Sequence, residues 1–281
     1  MWRGMVAIPR RMSHEGNVMD LKLSGKVVAV TGGTAGIGAE IALGFAKEGC
    51  KVAVCGRSAS KIKEIEERFA KEGLEVFAVS TNVADNADLK AFIQAVVEKY
   101  GRLDIMINNA GINNRKPFDT YSEEEWHALV DINFKAVFFG CAFAAEEMRK
   151  TGGGVIINTS SFTSIIPTCG IALYSATKAA VDQLTRVFAA ELAADHIRVV
   201  SVQPGMVVTD LTRDNCAKNH DRLVSAIPMK RLATPEDMVA GYLFLASEQA
   251  DYINAISLPI AGGKFATQNP HYAYRETGAQ W

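Results

Sequence analysis

The sequence predicts a single α/β domain built on a doubly wound parallel sheet, and three observations lead to this prediction. Short, β-branched apolar runs alternate with helical patterns along most of the 281 residues. Turns rich in glycine or asparagine follow several of these runs, and no linker or low-complexity segment divides the chain. Buried strands that alternate with helices are typical of parallel strands joined by right-handed crossovers.

The elements follow one another in a regular order. The first strand is predicted at residues 27–30, and a helix follows from about Ala39 and ends before Gly49. The later strands are predicted within residues 51–56, 75–81, 102–111, 155–160, 197–205 and 253–263. Helices are predicted at residues 60–73, 87–101 and 122–150, around Tyr174, and from Thr234 onward.

Composition argues against several kinds of partner. Lys and Arg (30) balance Asp and Glu (31), so the net charge of −1 gives no electrostatic basis for binding nucleic acid. We find no apolar stretch close to the roughly 20 residues needed to cross a bilayer, so no membrane partner is expected. The five cysteines form no CxxC pair and the five histidines are scattered, so we expect reduced thiols, a cytoplasmic protein and no metal site.

Ser161, Tyr174 and Lys178 have a spacing suited to acid/base chemistry. Ser161 follows a β-rich run, and Tyr174 and Lys178 form an i, i+4 pair on the next predicted helix. A tyrosine, with a pKa of about 10, exchanges a proton near neutrality only if a fixed positive charge stabilises the phenolate. We expect Lys178 to supply that charge while Ser161 polarises the substrate oxygen. Taken alone, Tyr-x-x-x-Lys often occurs by chance and is more typical of an ordinary pair on a helix.

A glycine-rich turn joins the first predicted strand to the first helix. Gly32, Gly36 and Gly38 would let the backbone approach phosphates, and the helix N-terminus offers free N–H groups and the positive end of the dipole. In an open parallel sheet, ligands lie beyond the carboxyl ends of the strands. The glycines, Ser161 and the segments 108–111 and 204–205 all follow strands, so they should converge on one dinucleotide site.

Several motifs occur in register across residues 21–263: TGGTAGIG (31–38), NNAG (108–111), Asn133 in VDINF, Ser161, YSATK (174–178) and PG (204–205). Together they resemble the short-chain dehydrogenase/reductase family. The resemblance implies a Rossmann fold over residues 21–263 and hydride transfer between a nicotinamide cofactor and a secondary alcohol or ketone. It also implies a homodimer or homotetramer formed through the 122–150 helix and the Tyr174 helix.

The same resemblance implies specific site residues. The implied catalytic residues are Asn133, Ser161, Tyr174 and Lys178, with Asn133 holding a water that links Lys178 to solvent. An isolated asparagine in this position is more often a satisfied helix residue, and NNAG could simply close a turn. The implied cofactor-binding residues are Gly32, Thr34, Gly36, Ile37, Gly38, Arg57, Ser58, Asn82, Val83, Asn109, Ala110, Gly111, Tyr174, Lys178, Pro204, Gly205, Val207 and Thr209.

The end of the second strand favours NADP over NAD. NAD enzymes usually place an acidic residue there to bind the ribose 2′-hydroxyl, whereas this chain has Gly56 followed by Arg57. An arginine with no competing carboxylate suits a 2′-phosphate, and Ser58 could add a hydroxyl contact. Two features depart from the family: Ala35 stands where many NADP-preferring members have a basic residue, and Asn82 replaces the usual aspartate near the adenine.

The substrate is left open by the sequence. IPMKRLATPEDMV (227–239), the FLAS run at 244–247 and the aromatic-rich tail resemble hydroxysteroid dehydrogenases of gut bacteria more loosely. A 3-oxoacyl thioester reductase, a sugar-alcohol dehydrogenase and a broad-specificity ketoreductase are alternatives. A nucleotide-sensing scaffold without catalysis is a further one, although such proteins typically lose the tyrosine or lysine that this chain retains.

Two terminal segments are predicted to lie outside the domain. Residues 1–20 form a basic N-terminal extension, which we expect to be disordered, and Met19 is a candidate start. Residues 264–281 form an aromatic-rich tail. It is either frayed, or its Phe265, Tyr272 and Tyr274 pack on a neighbouring subunit or cover a pocket.

Overall fold

Seven parallel strands form one sheet in the computed structural model, which describes residues 20–264. They are β1 (Val27–Thr31), β2 (Lys51–Gly56), β3 (Phe77–Ser80), β4 (Ile105–Asn108), β5 (Gly154–Thr159), β6 (Ile197–Pro204) and β7 (Ser257–Ile260). The order across the sheet is β3-β2-β1-β4-β5-β6-β7, so the chain winds outward from β1 in both directions. The predicted doubly wound, single-domain α/β fold is confirmed. The predictions for the terminal extension and the tail's aromatic residues lie outside the described residues.

Helices cover both faces of the sheet. They are α1 (Gly36–Lys47), α2 (Ala59–Lys71), α3 (Asn86–Tyr100), α4 (Glu123–Val130), α5 (Ala136–Lys150), α6 (Ala172–Glu191), α7 (Arg213–Lys218), α8 (His220–Ser225) and α9 (Glu236–Ala246). Alternate side chains of each strand point to opposite faces. Val28 and Val30 of β1 therefore pack with α1 and α9, whereas Val27 and Ala29 pack with α3 and α5.

The first helix begins earlier than predicted. The expectation placed its start near Ala39, but α1 begins at Gly36, immediately after the glycine-rich turn. The difference arises because Gly36 and Gly38 are poor helix formers by propensity, while this helix packs tightly against the turn and overrides that preference. The consequence is that the first N–H groups of α1 lie directly above the glycine turn.

The predicted helix at residues 122–150 is present but interrupted. Ser122 caps it through a capping box with Glu125, and a five-residue π turn, Asp131–Lys135, separates α4 from α5. Contrary to our reading of the sequence, this 28-residue helical run is long and apolar enough to cross a membrane by length and composition. The apolar nature of this run is not evident in the sequence because it is interrupted by the polar residues Asp131, Asn133 and Lys135. Half of its most apolar window is buried in the domain, as in the core helix of a soluble protein.

All five cysteines are free thiols. Cys50, Cys55, Cys141 and Cys216 are buried, and Cys169 is exposed in the loop that precedes α6. Burial raises the pKa of the Cys50, Cys55 and Cys141 thiols to about 12. These three side chains therefore act as small apolar residues of the core.

Candidate active site

A cavity of about 440 Å³ opens at the carboxyl ends of the strands, where the predicted motifs converge. Most of the predicted cofactor-binding and catalytic residues line it: Gly32, Thr34, Gly36, Ile37, Arg57, Asn82, Val83, Asn109, Ala110, Gly111, Ser161, Tyr174, Lys178, Pro204, Gly205, Val207 and Thr209. Three predicted residues, Gly38, Ser58 and Asn133, are not part of its lining.

The glycine-rich turn is built so that backbone forms one wall of the cavity. Gly32 and Gly36 have φ values of +64° and +54°, and a Cβ on Gly32 would lie 2.9 Å from the Cα of Ala110. Gly38 lies behind the turn, where a Cβ would collide with the Gly32 carbonyl. Asn109 fixes the turn from β4, because its Nδ2 donates to the carbonyl oxygens of Thr31 (3.1 Å) and Gly32 (3.2 Å).

The N-terminus of α1 is open to an anionic ligand. Ala35 occupies the N-cap position and supplies no side-chain hydrogen bond, and no acidic residue lies in the first turn. Free N–H groups at the start of a 12-residue helix suit a pyrophosphate, which the predicted dinucleotide would place there. The glycine wall and this helix terminus therefore fit a nicotinamide dinucleotide.

Ser161, Tyr174 and Lys178 come together at the other end of the same cavity. Ser161 begins a short 3₁₀ turn (Phe162–Ser164) directly after β5, and its Oγ accepts hydrogen bonds from the Thr163 N–H (3.2 Å) and Oγ1 (3.1 Å). On α6, the Lys178 Nζ lies 5.8 Å from the centroid of the Tyr174 ring. Lys178 is 3% exposed and donates to the carbonyl of Thr159 at 2.7 Å.

Burial shapes the proton affinities of this group. It raises the pKa of the Tyr174 phenol above its ordinary value, and the hydrogen bond with Ser161 opposes that rise. It also lowers the pKa of Lys178 to about 8, while the carboxylate of Asp182 acts in the opposite direction. We expected the Lys178 charge to oppose the rise in the Tyr174 pKa. In the structure, the hydrogen bond with Ser161 opposes this rise, and the positive charge of Lys178 lies 5.8 Å from the ring centroid.

Asn133 lies beside this group without lining the cavity. It is fully buried in the π turn, its Oδ1 accepts from the Ile112 N–H (2.9 Å), and its Nδ2 donates to the Ile112 carbonyl (2.8 Å). A Cβ on Gly111 would lie 3.4 Å from the Asn133 Oδ1 and 3.6 Å from the Lys178 Nζ. Asn133 thus holds the loop that passes over Lys178.

At the second strand, the structure places Arg57 in the cavity wall beside Gly56. A Cβ on Gly56 would collide with the side chain of Thr34, so an acidic residue at this position would require Thr34 to shift. Within residues 20–264, Arg57 makes no ion pair. Ser58 instead lies at the N-cap of α2, where its Oγ accepts from the Lys61 N–H at 3.4 Å.

The cavity is also lined by residues that were not among the predicted site residues. They are Ala35, Cys55, Gly56, Thr81, Ile112, Ile132, Thr159, Ser160, Asp210, Leu211 and Thr212. Most of them are direct neighbours of predicted residues, so adjacency to a motif was the available signal. Over the described ranges 20–264, no group of three His, Cys, Asp or Glu side chains could hold a metal ion.

Two loops meet beside the catalytic end of the cavity. Arg115, in the loop after β4, donates to the carbonyl of Cys169 at 3.3 Å, and the Lys116 N–H donates to the carbonyl of Gly170 at 2.9 Å. These contacts join the loop after β4 to the loop before α6. The position of Tyr174 on α6 is therefore coupled to the chain segment that follows Gly111.

Known proteins share this architecture. A 3-oxoacyl-(acyl-carrier-protein) reductase of Thermotoga maritima is 36% identical over 86% of this chain and 99% of its own length. A 3alpha-hydroxysteroid dehydrogenase of Mediterraneibacter gnavus is 37% identical over 87% of this chain and 98% of its own. The solved structure of a putative NAD(P)-dependent gluconate 5-dehydrogenase from Beutenbergia cavernae, with bound NADP, superimposes with a TM-score of 0.84 at 33% identity. It covers 89% of this chain and 100% of that one.

The short chain dehydrogenase family profile matches residues 26–220, which include the glycine turn, Asn133, Ser161, Tyr174 and Lys178. These relatives are named as a reductase, a hydroxysteroid dehydrogenase and an NAD(P)-dependent dehydrogenase. The chain is accordingly an NAD(P)-dependent oxidoreductase, and it belongs to the short-chain dehydrogenase/reductase family.

Proposed function

We propose that the protein interconverts a secondary alcohol and a ketone with NADP(H), using Tyr174 as the acid/base. The observation that carries the proposal is the placement of Tyr174, Ser161 and Lys178 at one end of the cavity whose other end is the glycine-rich turn. When bound, the nicotinamide supplies or accepts the hydride. Gly32, Gly36 and the N-terminus of α1 would hold the pyrophosphate.

In the proposed mechanism each side chain has a separate task. Tyr174 gives its hydroxyl proton to the carbonyl oxygen in the reduction and removes the hydroxyl proton in the oxidation. Ser161 donates a hydrogen bond to the same substrate oxygen and polarises it. Lys178 stabilises the phenolate with its charge and binds the nicotinamide ribose. Asn133 fixes the Gly111–Ile112 backbone over Lys178 and holds the water that links it to solvent.

The preference for NADP over NAD rests on Arg57. Its guanidinium is exposed in the cavity wall without an acidic neighbour at Gly56, and a guanidinium binds phosphate through charge-assisted hydrogen bonds. Asn82 and Val83 would lie against the adenine, where the Asn82 Oδ1 also accepts from the Ala84 N–H at 3.3 Å. A higher turnover with NAD than with NADP at equal concentration would contradict this preference.

For the substrate, we favour a hydroxysteroid, supported by the 37% identity to the 3alpha-hydroxysteroid dehydrogenase. The reductase of Thermotoga maritima supports a 3-oxoacyl thioester as the alternative. The deciding experiment follows absorbance of the reduced nicotinamide with both cofactors against steroids, acyl thioesters and sugar acids, with Tyr174→Phe as the control. Turnover restricted to acyl thioesters would reject the steroid proposal, and turnover by the control would reject the role of Tyr174.

We further propose a homodimer or homotetramer that forms through α5 and α6. Phe138 on α5 is 39% exposed and Val187 on α6 is 51% exposed. The ring centroids of Phe138 and Phe188 are 5.3 Å apart, so α5 and α6 are in contact here. Exposed apolar side chains on adjacent long helices are typical of a subunit interface. Light scattering after size-exclusion chromatography should give a molar mass that is two or four times that of one chain. Phe138→Asp should lower this molar mass because it places a charge in the subunit interface. A monomeric wild type would contradict this assembly.

The proposed location is the cytoplasm. All five cysteines are free, which is consistent with a reducing compartment. Fractionation of expressing cells should recover the protein with cytoplasmic markers, and recovery with the membrane fraction would contradict the proposal.

A further inference from the structure

A buried carboxylate lies one helical turn beyond Lys178. Asp182 is on α6, is 5% exposed, and makes no ion pair within residues 20–264. Its Oδ2 accepts a hydrogen bond from the Gln203 Nε2 at 2.6 Å. Its Oδ1 lies 2.9 Å from the hydroxyl of Ser201 and 3.2 Å from that of Ser257. An acid surrounded by an amide N–H and two hydroxyls has the donors that a carboxylate needs in order to stay buried.

Lys178 has few other groups to stabilise its charge. Its Nζ donates to the Thr159 carbonyl, and the Gly111 loop and Asn133 contribute only uncharged groups nearby. Among the described residues, the titratable groups that face Lys178 are Tyr174 and Asp182, both on its own helix. Within residues 20–264, Asp182 is thus the one of these groups whose negative charge supports the buried ammonium.

Asp182 also reaches Ser161, through a chain of hydrogen bonds. The Gln203 Nε2 donates to the Ser164 Oγ at 3.0 Å as well as to Asp182, so both of its hydrogens are used. The Ser164 hydroxyl in turn donates to the Ser161 carbonyl at 2.7 Å.

The carboxylate sets the orientation of the Gln203 amide. The Gln203 Oε1 is buried without a hydrogen-bond partner, so this orientation leaves one acceptor unsatisfied. Turning the amide over would place that oxygen against the carboxylate of Asp182, and the Ser164 hydroxyl would lose its donor. Asp182 therefore holds the amide, as a hydrogen-bond acceptor, in the orientation that supports the Ser161 turn.

We propose that Asp182 is a positioning residue that acts on two members of the active site. Through its charge, one turn along α6, it stabilises the Lys178 ammonium, and through Gln203 and Ser164 it holds the 3₁₀ turn that presents Ser161. Gln203 immediately precedes Pro204 and Gly205, which line the cavity, so the same chain of contacts ties the cofactor wall to the catalytic turn. The proposal rests on the function proposed above for Ser161 and Lys178.

The test compares two variants that separate the two effects. Asp182→Asn keeps the size and can still accept from Gln203, but it removes the charge. In the reduction direction, kcat/KM should fall at high pH as Lys178 loses its proton; we call this fall the high-pH limb. Because a unit charge one helical turn away is removed, the limb should lie about one pH unit lower in Asp182→Asn than in the wild type. Gln203→Leu leaves the charge and breaks the contact with Ser164. It should lower kcat roughly tenfold, as for a misplaced catalytic group, without moving that pH limb.

Controls make the outcome decisive. Asp104→Asn removes another buried carboxylate, at the amino ends of the central strands β1 and β4, where it accepts from the Val27 N–H. In this variant the loss of kcat/KM at high pH should stay at the wild-type pH. Asp182→Glu should restore the limb by restoring the charge. A uniform loss of activity in Asp182→Asn at every pH would overturn the charge effect, and an unchanged kcat in Gln203→Leu would overturn the effect on Ser161.

Failure of the underlying function gives a different result. If Tyr174→Phe still turns over, the proposed active site itself is wrong. If Tyr174→Phe is inactive while Asp182→Asn shows the wild-type pH limb, only the role of Asp182 is rejected. Should Asp182→Asn not fold, Gln203→Leu still tests the path to Ser161 by itself.

Discussion

The two ends of the cavity differ in whether backbone or side chains form them. The nucleotide end consists largely of backbone: a glycine turn with positive φ values, the open N-terminus of α1, and Asn109, which ties the turn to β4. The catalytic end consists of side chains with shifted pKa values, the half-buried Tyr174 and the buried Lys178. At the first end, an added Cβ on Gly32 or Gly38 would collide with the backbone. At the second end, removal of the Tyr174 hydroxyl or the Lys178 ammonium should abolish turnover.

The largest expected effect is on the catalytic end. Tyr174→Phe removes the hydroxyl and nothing else, so turnover should fall roughly a thousandfold, in the range of a lost general acid/base. The affinity for NADP(H), measured by fluorescence titration, should remain close to that of the wild type because the nucleotide end is untouched. A parallel loss of affinity would mean that the two ends are not separable.

The next largest effect is on the nucleotide end. Gly38→Ala forces a methyl group into the Gly32 carbonyl, and this should lower the free energy of unfolding by about 2 to 3 kcal/mol and weaken NADP binding. The matched control is Gly101→Ala. Gly101 has a φ of +83°, and a Cβ added there would have no atom within 4 Å, so this variant should lower the free energy of unfolding by only about 1 kcal/mol. Thermal melts of both variants measure the difference. Equal losses would show that crowding at the turn is unimportant.

Arg57 is the one charged contact predicted at the nucleotide end. Arg57→Met should raise the KM for NADP about ten- to a hundredfold, the value of a lost charge-assisted phosphate contact, and leave the KM for NAD nearly unchanged. Steady-state kinetics with both cofactors checks this outcome. An equal increase for both cofactors would place Arg57 at a group that the two dinucleotides share.

The smallest effect is expected at Ser58. Because its Oγ caps α2, Ser58→Ala should lower the free energy of unfolding by about 1 kcal/mol. The KM for NADP should not change if capping is its whole role, whereas an increase would support the hydroxyl contact that the sequence predicted. Chemical denaturation and kinetics on the same preparation separate the two roles.

Residues at both ends of the cavity could be predicted from the sequence, although Gly38 and Ser58 do not line it as expected. A glycine turn between a strand and a helix has local signals, so Gly32, Gly36 and Arg57 could be placed in advance. The π turn around Asn133 could not, because it depends on the hydrogen bonds from Asn133 to the Ile112 backbone across a long loop. The same holds for Asp182 and Gln203, whose contact joins α6 to β6 across 21 residues.

The distribution of the five thiols makes the natural chain suited to site-specific spectroscopy. Cys169 is exposed in the loop that Arg115 contacts, whereas the four other thiols are buried. A maleimide fluorophore would therefore attach at this single position without any cysteine having to be removed first. Its emission would report on the segment between Ser161 and Tyr174 in real time, in the full-length protein, while cofactor and candidate substrates are added.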